Sequence, residues 1–509
     1  MPAVVLSAAT LGIDAYLVHV EVDTDRQLPS FTVVGLPDSA VRESKERVMA
    51  ALRNAGYEWP RRRVTVNLAP ADIRKEGSAF DLPIAVGILV ASGQIRASRL
   101  ADFALVGELS LDGALRPVHG VLSAALGLHT RRVYGLIVPQ ANAGEAALAA
   151  GPLIYGVTTL AQAVDILEGD CRQPPFTANL EALLDQGAQH EADLAEVCGQ
   201  AHAKRALEVA AAGGHSLLLS GPPGSGKTLL ARRLPSILPA LSPEEALNAT
   251  QIYSAAGLLP ADQPLVTTRP FRAPHHTISD AGLIGGGADP RPGEISLAHH
   301  GVLFLDELPD FKRPVLEALR QPLEDHTVTI ARAAFSLTYP ARFMLVAAMN
   351  PCPCGFLGDS RHPCTCSPAL IHRYRARLSG PLLDRLDLHV EVPALSYREV
   401  SSRQNGEPSA QIRQRVEAAR QRQRARFAQQ PGFCCNAQLR PRQLRACCTL
   451  TGKGEELLRA ASNRLGLSAR AHDRILKVAR TIADLEGVDD IQAQHLAEAI
   501  QYRSLDRRS

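Results

Sequence analysis

The stretch HSLLLSGPPGSGKTLLARRLPSIL, residues 215–238, limits the possible folds of this chain more than any other. It sets an apolar strand directly before a glycine-rich turn and a helix directly after it. The turn, Gly221, Pro222, Pro223, Gly224, Ser225, Gly226, Lys227 and Thr228, has the G-x-x-x-x-G-K-[ST] spacing of a loop that wraps phosphates in its backbone amides. Glycines let the chain approach an anion closely, and the helix start adds a favourable dipole. In such a loop Lys227 reaches the β- and γ-phosphates and the Thr228 hydroxyl binds Mg²⁺. A strand–loop–helix unit of this kind belongs to an α/β core with a buried sheet.

Further motifs follow in order. In GVLFLDELPDF the run Val302 to Leu305 predicts a buried strand that delivers Asp306 and Glu307 at its carboxyl end. Asp306 suits an acid holding Mg²⁺ through water, and Glu307 a base for the attacking water. The strand-like RFMLVAAMN ends in Asn350, placed to orient that water or sense the γ-phosphate. Arg385 in LSGPLLDRLDLHVEVP and Arg470 in LSARAHDRILKVARTIADLEG are candidates to stabilise charge developing in phosphoryl transfer, the first on another subunit's nucleotide. A lone arginine is more often a surface ion-pair partner; the ordered set gives these two their interest.

The remaining composition narrows the class. A chain of 509 residues is too long for one ordinary core and suggests two to four domains. Charge balances at 55 − 52 = +3, which announces no nucleic-acid binder, and 4% aromatic content argues against gripping single strands mainly by base stacking. The amino terminus lacks the basic start and cleavage site of a secretion signal, and no apolar run approaches a membrane span, so a cytoplasmic location with no membrane partner is expected. Ten cysteines in that compartment favour thiols and metal over disulfides.

Four of those cysteines sit in MNPCPCGFLGDSRHPCTCSP, directly after Asn350. Cys352, Cys354, Cys364 and Cys366 form two C-x-C pairs, with His362 as a substitute ligand. Four thiolates suit tetrahedral structural Zn²⁺, although C-x-C is tighter than the usual C-x₂₋₄-C spacing. Unligated thiols and redox pairing remain open. Cys434/Cys435 and Cys447/Cys448 are two further adjacent pairs. His275/His276 and His299/His300 are not read as metal sites, because adjacent histidines in a strand point to opposite faces.

Together GEISLAHHGVLFLDELPDF, LTYPARFMLVAAMNPCPCG and LSGPLLDRLDLHVEVP resemble the magnesium-chelatase-like branch of AAA+ ATPases, specifically the ComM/YifB family, over nearly the whole chain. The resemblance implies an α/β chain in five parts: a Lon-protease-like domain at 1–170, a linker at 171–195, an AAA+ ATPase core at 196–395, a basic helical connector at 396–430 and a helical C-terminal lid at 431–509. It implies ATP and Mg²⁺ as cofactors, a homo-oligomer (a hexameric ring), single-stranded and branched DNA as partners, and branch migration of recombination intermediates in natural transformation. Lys227 and Thr228 then become Walker A, Asp306 and Glu307 Walker B, Asn350 sensor 1, Arg385 the trans finger with Arg377 as runner-up, and Arg470 sensor 2. A chelatase subunit or a protein-remodelling ATPase is the alternative.

Within the Lon-like stretch, RKEGSAFDLPIAVGILVASG places Ala79 where such proteases carry their serine, and the second motif places Leu122 where they carry their lysine. A Ser–Lys mechanism needs both, so proteolysis is not expected. For DNA, phosphate contacts call for clustered basic residues. The richest run holds Arg413, Arg415, Arg420, Arg422, Arg424 and Arg426, and it reads equally well as a solvated connecting helix. Arg269, Arg272, His275 and His276 form a second candidate group, and Arg332 is assigned to a hairpin before sensor 1.

Overall fold

The structure is a computed structural model that describes residues 2–169, 173–187, 192–260, 262–287, 291–332, 335–359, 361–395, 406–428 and 433–503. Residues 396–405 and 429–430 of the expected connector and parts of the expected linker lie outside these residues.

The first part of the chain builds a seven-stranded sheet. Its strands are β1 (Ala3–Leu11), β2 (Asp14–Asp25), β3 (Ser30–Val34), β4 (Arg63–Ala69), β5 (Phe103–Leu105), β8 (Gly135–Pro139) and β9 (Leu153–Val157), in the order β3-β4-β2-β1-β5-β8-β9. A small hairpin of β6 (Glu108–Leu109) and β7 (Leu115–Arg116) stands beside it. In β4 inward Val64, Val66 and Leu68 alternate with more accessible residues, the pattern of a half-covered sheet. The helix Asp81–Ala91 covers one face and is buried along nearly its whole length, so its sequence shows no polar stripe.

A second sheet follows, wholly parallel, in the order β11-β14-β17-β10-β18. These strands are β10 (Leu217–Ser220), β11 (Phe271–Arg272), β14 (Val302–Leu305), β17 (Met344–Met349) and β18 (Leu388–Glu391); a two-residue ribbon pairs β12 (Gly285–Gly286) with β13 (Arg291–Pro292). Every residue of β10, β14 and β17 is buried, as a parallel sheet covered on both faces requires. A separate hairpin, β15 (Thr327–Arg332) with β16 (Phe335–Pro340), precedes β17 and ends its first strand at Arg332. Helices Ser409–Arg426 and Ala469–Glu486 pack against the helix Ala201–Gly213 beside this sheet.

The two sheets share packing. Leu241, Ala246 and Leu265 join one apolar cluster with Val118, Val121 and Leu122. Gln251 Nε2 donates to Ile13 O at 2.6 Å, and Ser254 Oγ donates to the buried Glu145 carboxylate at 2.5 Å. In the stretch expected as a linker, Phe176 N donates to Ile154 O at 2.7 Å, and Leu180–Gln186 is a helix capped by Asn179. Its Leu180, Leu183 and Leu184 pack on the same shared cluster. Three leucines at helical spacing explain why a proline-marked, polar stretch still folds.

Candidate nucleotide site

Three neighbouring strand ends assemble the site. β10 runs into the glycine loop, β14 into Asp306-Glu307 and β17 into Asn350, all at carboxyl ends of the parallel sheet. The loop passes so close to the β18 exit that a Cβ on Gly221 would lie 2.1 Å from Val392 O. Gly224 and Gly226 take left-handed φ of +74° and +91°, which other residues reach only with strain.

Lys227 Nζ donates to Gly221 O at 2.7 Å, Pro222 O at 2.9 Å and Asn350 Oδ1 at 3.2 Å. Burial lowers its pKa from the ordinary lysine value, with Asp306 opposing that shift. Thr228 Oγ1 donates to Asp306 Oδ2 at 2.7 Å, and Glu307 N donates to Asp306 Oδ1 at 3.0 Å. Five residues singled out from three motifs therefore meet in one cradle. The Ser225 hydroxyl is buried with no hydrogen-bond partner among the described residues, an orphaned donor in the loop that a phosphate oxygen suits.

Glu307 has a left-handed φ of +52°, and its side chain is 57% exposed, so the carboxylate projects from the strand end. His276 Nδ1 stands 3.5 Å from Glu307 Oε2. That places a residue singled out for nucleic acid at the nucleotide cradle. Gln200, which nothing in its sequence neighbourhood marks, is buried and donates to Ser225 O at 3.3 Å and Pro393 O at 2.7 Å, tying the loop to the β18 exit.

The arginines stand apart from this cradle. Arg385 is buried, donates to Pro381 O at 2.6 Å and pairs with Glu324 of its own chain. Arg377 is more open, with 56% side-chain exposure, and pairs with Asp310 at 3.0 Å. Arg470 is exposed in the first turn of the helix Ala469–Glu486. One turn on, Arg474 binds buried Asp387 at 2.6 Å, which also takes His215 Nδ1 at 3.1 Å; this latch fastens the helix to the core.

The four cysteines converge. Their Sγ atoms all lie within 4.8 Å of one another, with Cys352–Cys354 at 3.3 Å, Cys352–Cys364 at 3.7 Å and Cys354–Cys364 at 3.6 Å. Those spacings approach the roughly 3.8 Å edge of a tetrahedron of sulfurs about 2.3 Å from a central zinc and far exceed a disulfide bond of about 2.05 Å. Backbone N–H groups of Phe356 and Thr365 hold the Cys354 thiol down to about 6. His362 stays outside this group and its ring lies 5.1 Å from that of Phe356. No other group of metal-ligating side chains is found among the described residues, so Cys434/Cys435 and Cys447/Cys448 form no second cluster.

Both histidine pairs overturn the geometric reason given for them. Neither is in a strand: the rings of His275 and His276 lie 4.1 Å apart and those of His299 and His300 3.9 Å apart. His300 takes a left-handed φ of +56° in the turn before β14, which brings neighbours to one side.

Most of the basic helix is tied inward. On Ser409–Arg426, Arg413 donates to Ser236 O, Arg415 pairs with Glu208 and Glu407, Arg420 donates to Ala211 O and Cys434 O, and Arg426 pairs with Asp484. Arg422 and Arg424 are exposed, as is the ion-paired Arg415. Arg269 is fastened to Pro239 O, His300 O and Glu245, and Arg272 to Glu294. Arg332 closes β15, where it pairs in register with Phe335. In the first domain Ser78 Oγ hydrogen-bonds Glu108 and the Lys75 ammonium faces Pro70 O and Ile73 O, while Leu122 is fully buried.

Comparison with known proteins agrees with this geometry. The family profile "Magnesium chelatase, subunit ChlI" matches residues 193–400, "Subunit ChlI of Mg-chelatase" residues 20–142, and "Magnesium chelatase, subunit ChlI C-terminal" residues 406–503. The chain is 47% identical over 509 residues to the Competence protein ComM of Haemophilus influenzae, covering 99% of this chain and 98% of that one. It is 46% identical to the uncharacterized protein YifB of Salmonella typhimurium and to that of Escherichia coli, covering 99% of this chain and 97% of each relative. Among the described residues no helix is long and apolar enough to cross a membrane.

Proposed function

This chain belongs to the ComM/YifB family of magnesium-chelatase-like AAA+ proteins, and from that premise we propose that it is an ATP-driven DNA motor. In this reading a cytoplasmic homo-oligomer, a hexameric ring, moves branched recombination intermediates during natural transformation and homologous recombination. Family membership itself suggests ATPase activity with ATP and Mg²⁺. The observation that carries the chemistry is the contact set joining Lys227 to Asn350 and Thr228 to Asp306. The DNA part is supported by the competence name of a relative that matches end to end, and by the β15–β16 hairpin that directly precedes the Asn350 strand.

Each residue then has a task. Lys227 exchanges neutral oxygens for the β- and γ-phosphates, and the loop amides with Ser225 Oγ bind phosphate oxygens. Thr228 and Asp306 hold Mg²⁺, which neutralises charge on those phosphates. Glu307 takes a proton from the attacking water, and Asn350 orients that water. Arg385 or the more exposed Arg377 reaches a neighbouring subunit's nucleotide, and Arg470 closes the lid side. The thiolates of Cys352, Cys354, Cys364 and Cys366 hold a structural Zn²⁺. The Lon-like first domain, with Ala79 and Leu122 in place of a Ser–Lys pair, serves assembly or DNA contact. The profile descriptions favour a second reading, a chelatase-type motor.

The test is ATP-driven strand movement on a three-strand branched DNA by wild type, Lys227→Ala and Glu307→Gln. Movement by wild type alone is expected. An assembled ring that hydrolyses ATP without moving the branch would overturn the DNA reading.

A further inference from the structure

We infer that metal bound by the four cysteines is a clamp on the nucleotide cradle, so that thiolate occupancy sets the affinity for nucleotide. This rests on the zinc reading above and extends it from a local staple to control of the neighbouring site.

Two arms of one loop meet at the sulfurs. The first arm leaves β17 through Asn350 and Pro351 and reaches Cys352 and Cys354; the second brings Cys364 and Cys366 back. Among the described residues of 351–367 none lies in a helix or strand, so no ladder of backbone bonds holds the arms together. The thiol cluster is a crosslink between them.

The first arm is seated on the phosphate loop itself. A Cβ on Gly355 would lie 2.5 Å from Pro223 Cδ and 2.8 Å from Pro223 Cγ, and Gly355 has a φ of +86°. Only glycine fits there, because the loop rests against Pro223 in a conformation other residues reach with strain. At the base of the arm, Arg375 Nη2 donates to Pro351 O at 3.3 Å. Asn350, just before it, is the side chain that holds Lys227. One short segment thus touches the cradle twice, through Gly355 on Pro223 and through Asn350 on Lys227, and between those contacts lie two of the four sulfurs.

Without a cation, four thiols within 4.8 Å of one another have little reason to stay together: thiolates repel and thiols form weak hydrogen bonds. Zn²⁺ at their centre fixes both arms, keeps Gly355 on Pro223 and presents Asn350. With all four positions filled by sulfur the metal has no open site and no part in the chemistry of hydrolysis.

The full-length chain tests this with two readouts, metal content by atomic absorption and affinity for a fluorescent, slowly hydrolysed ATP analogue. One zinc per chain is expected, and Co²⁺ in its place should give the thiolate charge-transfer and tetrahedral d–d bands of a four-sulfur site. Chelation of zinc, or the double variant Cys364→Ser with Cys366→Ser, should weaken nucleotide binding about tenfold or more. Zinc added back should restore stripped wild type and leave the double variant weak. Gly355→Ala keeps all four thiolates; it should retain zinc and still bind nucleotide more weakly, which decides the matter even if stripped protein unfolds. Absence of stoichiometric metal overturns the zinc reading and the clamp together. Stripped wild type or Gly355→Ala binding nucleotide as tightly as loaded wild type overturns the clamp and leaves the zinc reading standing.

Discussion

His276 is the residue whose position says most beyond the motifs. Its imidazole lies 3.5 Å from the Glu307 carboxylate, while Glu307 is held in a left-handed conformation at the strand end. A carboxylate on so open a side chain needs a partner to fix its direction. His276→Ala should therefore lower kcat for ATP about tenfold with KM nearly unchanged, and His276→Gln should recover part of the loss. Equal kcat values for wild type and His276→Ala would remove His276 from the machinery. Lys227, Thr228, Asp306, Glu307 and Asn350 were legible because each ends or follows a strand whose apolar run marks it. Gln200 and Gly355 were not, and His276 stood out only as one of a basic group, since their contacts depend on how distant segments pass one another. Arg269 and Arg272 show the opposite failure: basic residues in a row looked like a phosphate grip and prove to be bound to Glu245, Glu294 and backbone oxygens.

At the level of elements, the helix Ser409–Arg426 works as a fastening between the parallel-sheet core and the helices after it. Arg426 Nη1 donates to Asp484 Oδ2 at 3.1 Å, and Asp484 is buried on the helix Ala469–Glu486 with Arg480 as its second partner. Removing one cation from a buried carboxylate is strongly destabilising. Arg426→Ala should lower the unfolding free energy by about 2–3 kcal/mol in urea, since Arg480 remains. Exposed Arg424→Ala should stay within about 0.5 kcal/mol of wild type. Similar midpoints for the two variants would contradict the fastening. The strands β10, β14 and β17 were readable as uninterrupted apolar runs, and the helix after the glycine loop from its spacing. What the sequence could not reveal is which face of the arginine-rich helix is buried, because its inward side is lined by arginines whose partners are carbonyls and distant acids.

For the molecule as a whole, buried histidines set the acid limit. Burial is the main cause that lowers His299 to about 2, His300 to about 4 and His389 to about 3, each from 6.5. Their folded values lie below the unfolded one, so the stability they contribute is full above pH 6.5 and is lost as pH falls towards the folded values. Each group removes about 1.4 kcal/mol per pH unit in that window, about 4 kcal/mol per unit for the three together until His300 protonates. Thermal midpoints measured from pH 7.5 to pH 4.5 should hold steady and then fall steeply below 6.5; a flat profile would contradict neutral burial. The order of motifs along the chain was enough to recognise the core and the family. The apolar cluster that Leu241, Ala246 and Leu265 share with Val121 and Leu122 was hidden, since small and branched apolar residues look alike whether they pack within one sheet's layer or across two.

Strand order in the parallel sheet also bears on synthesis. β10, which launches the phosphate loop, is the first of its five strands to leave the ribosome, yet its neighbours β17 and β18 are the last two. Until residue 349 has emerged, that strand has no edge to pair with, and β18 together with Val392, which closes over Gly221, arrives later still. A nascent chain therefore lacks a closed nucleotide cradle until the end of the core has emerged, so a ribosome stalled after Thr228 and before that point releases a polypeptide with the complete loop motif and no finished pocket.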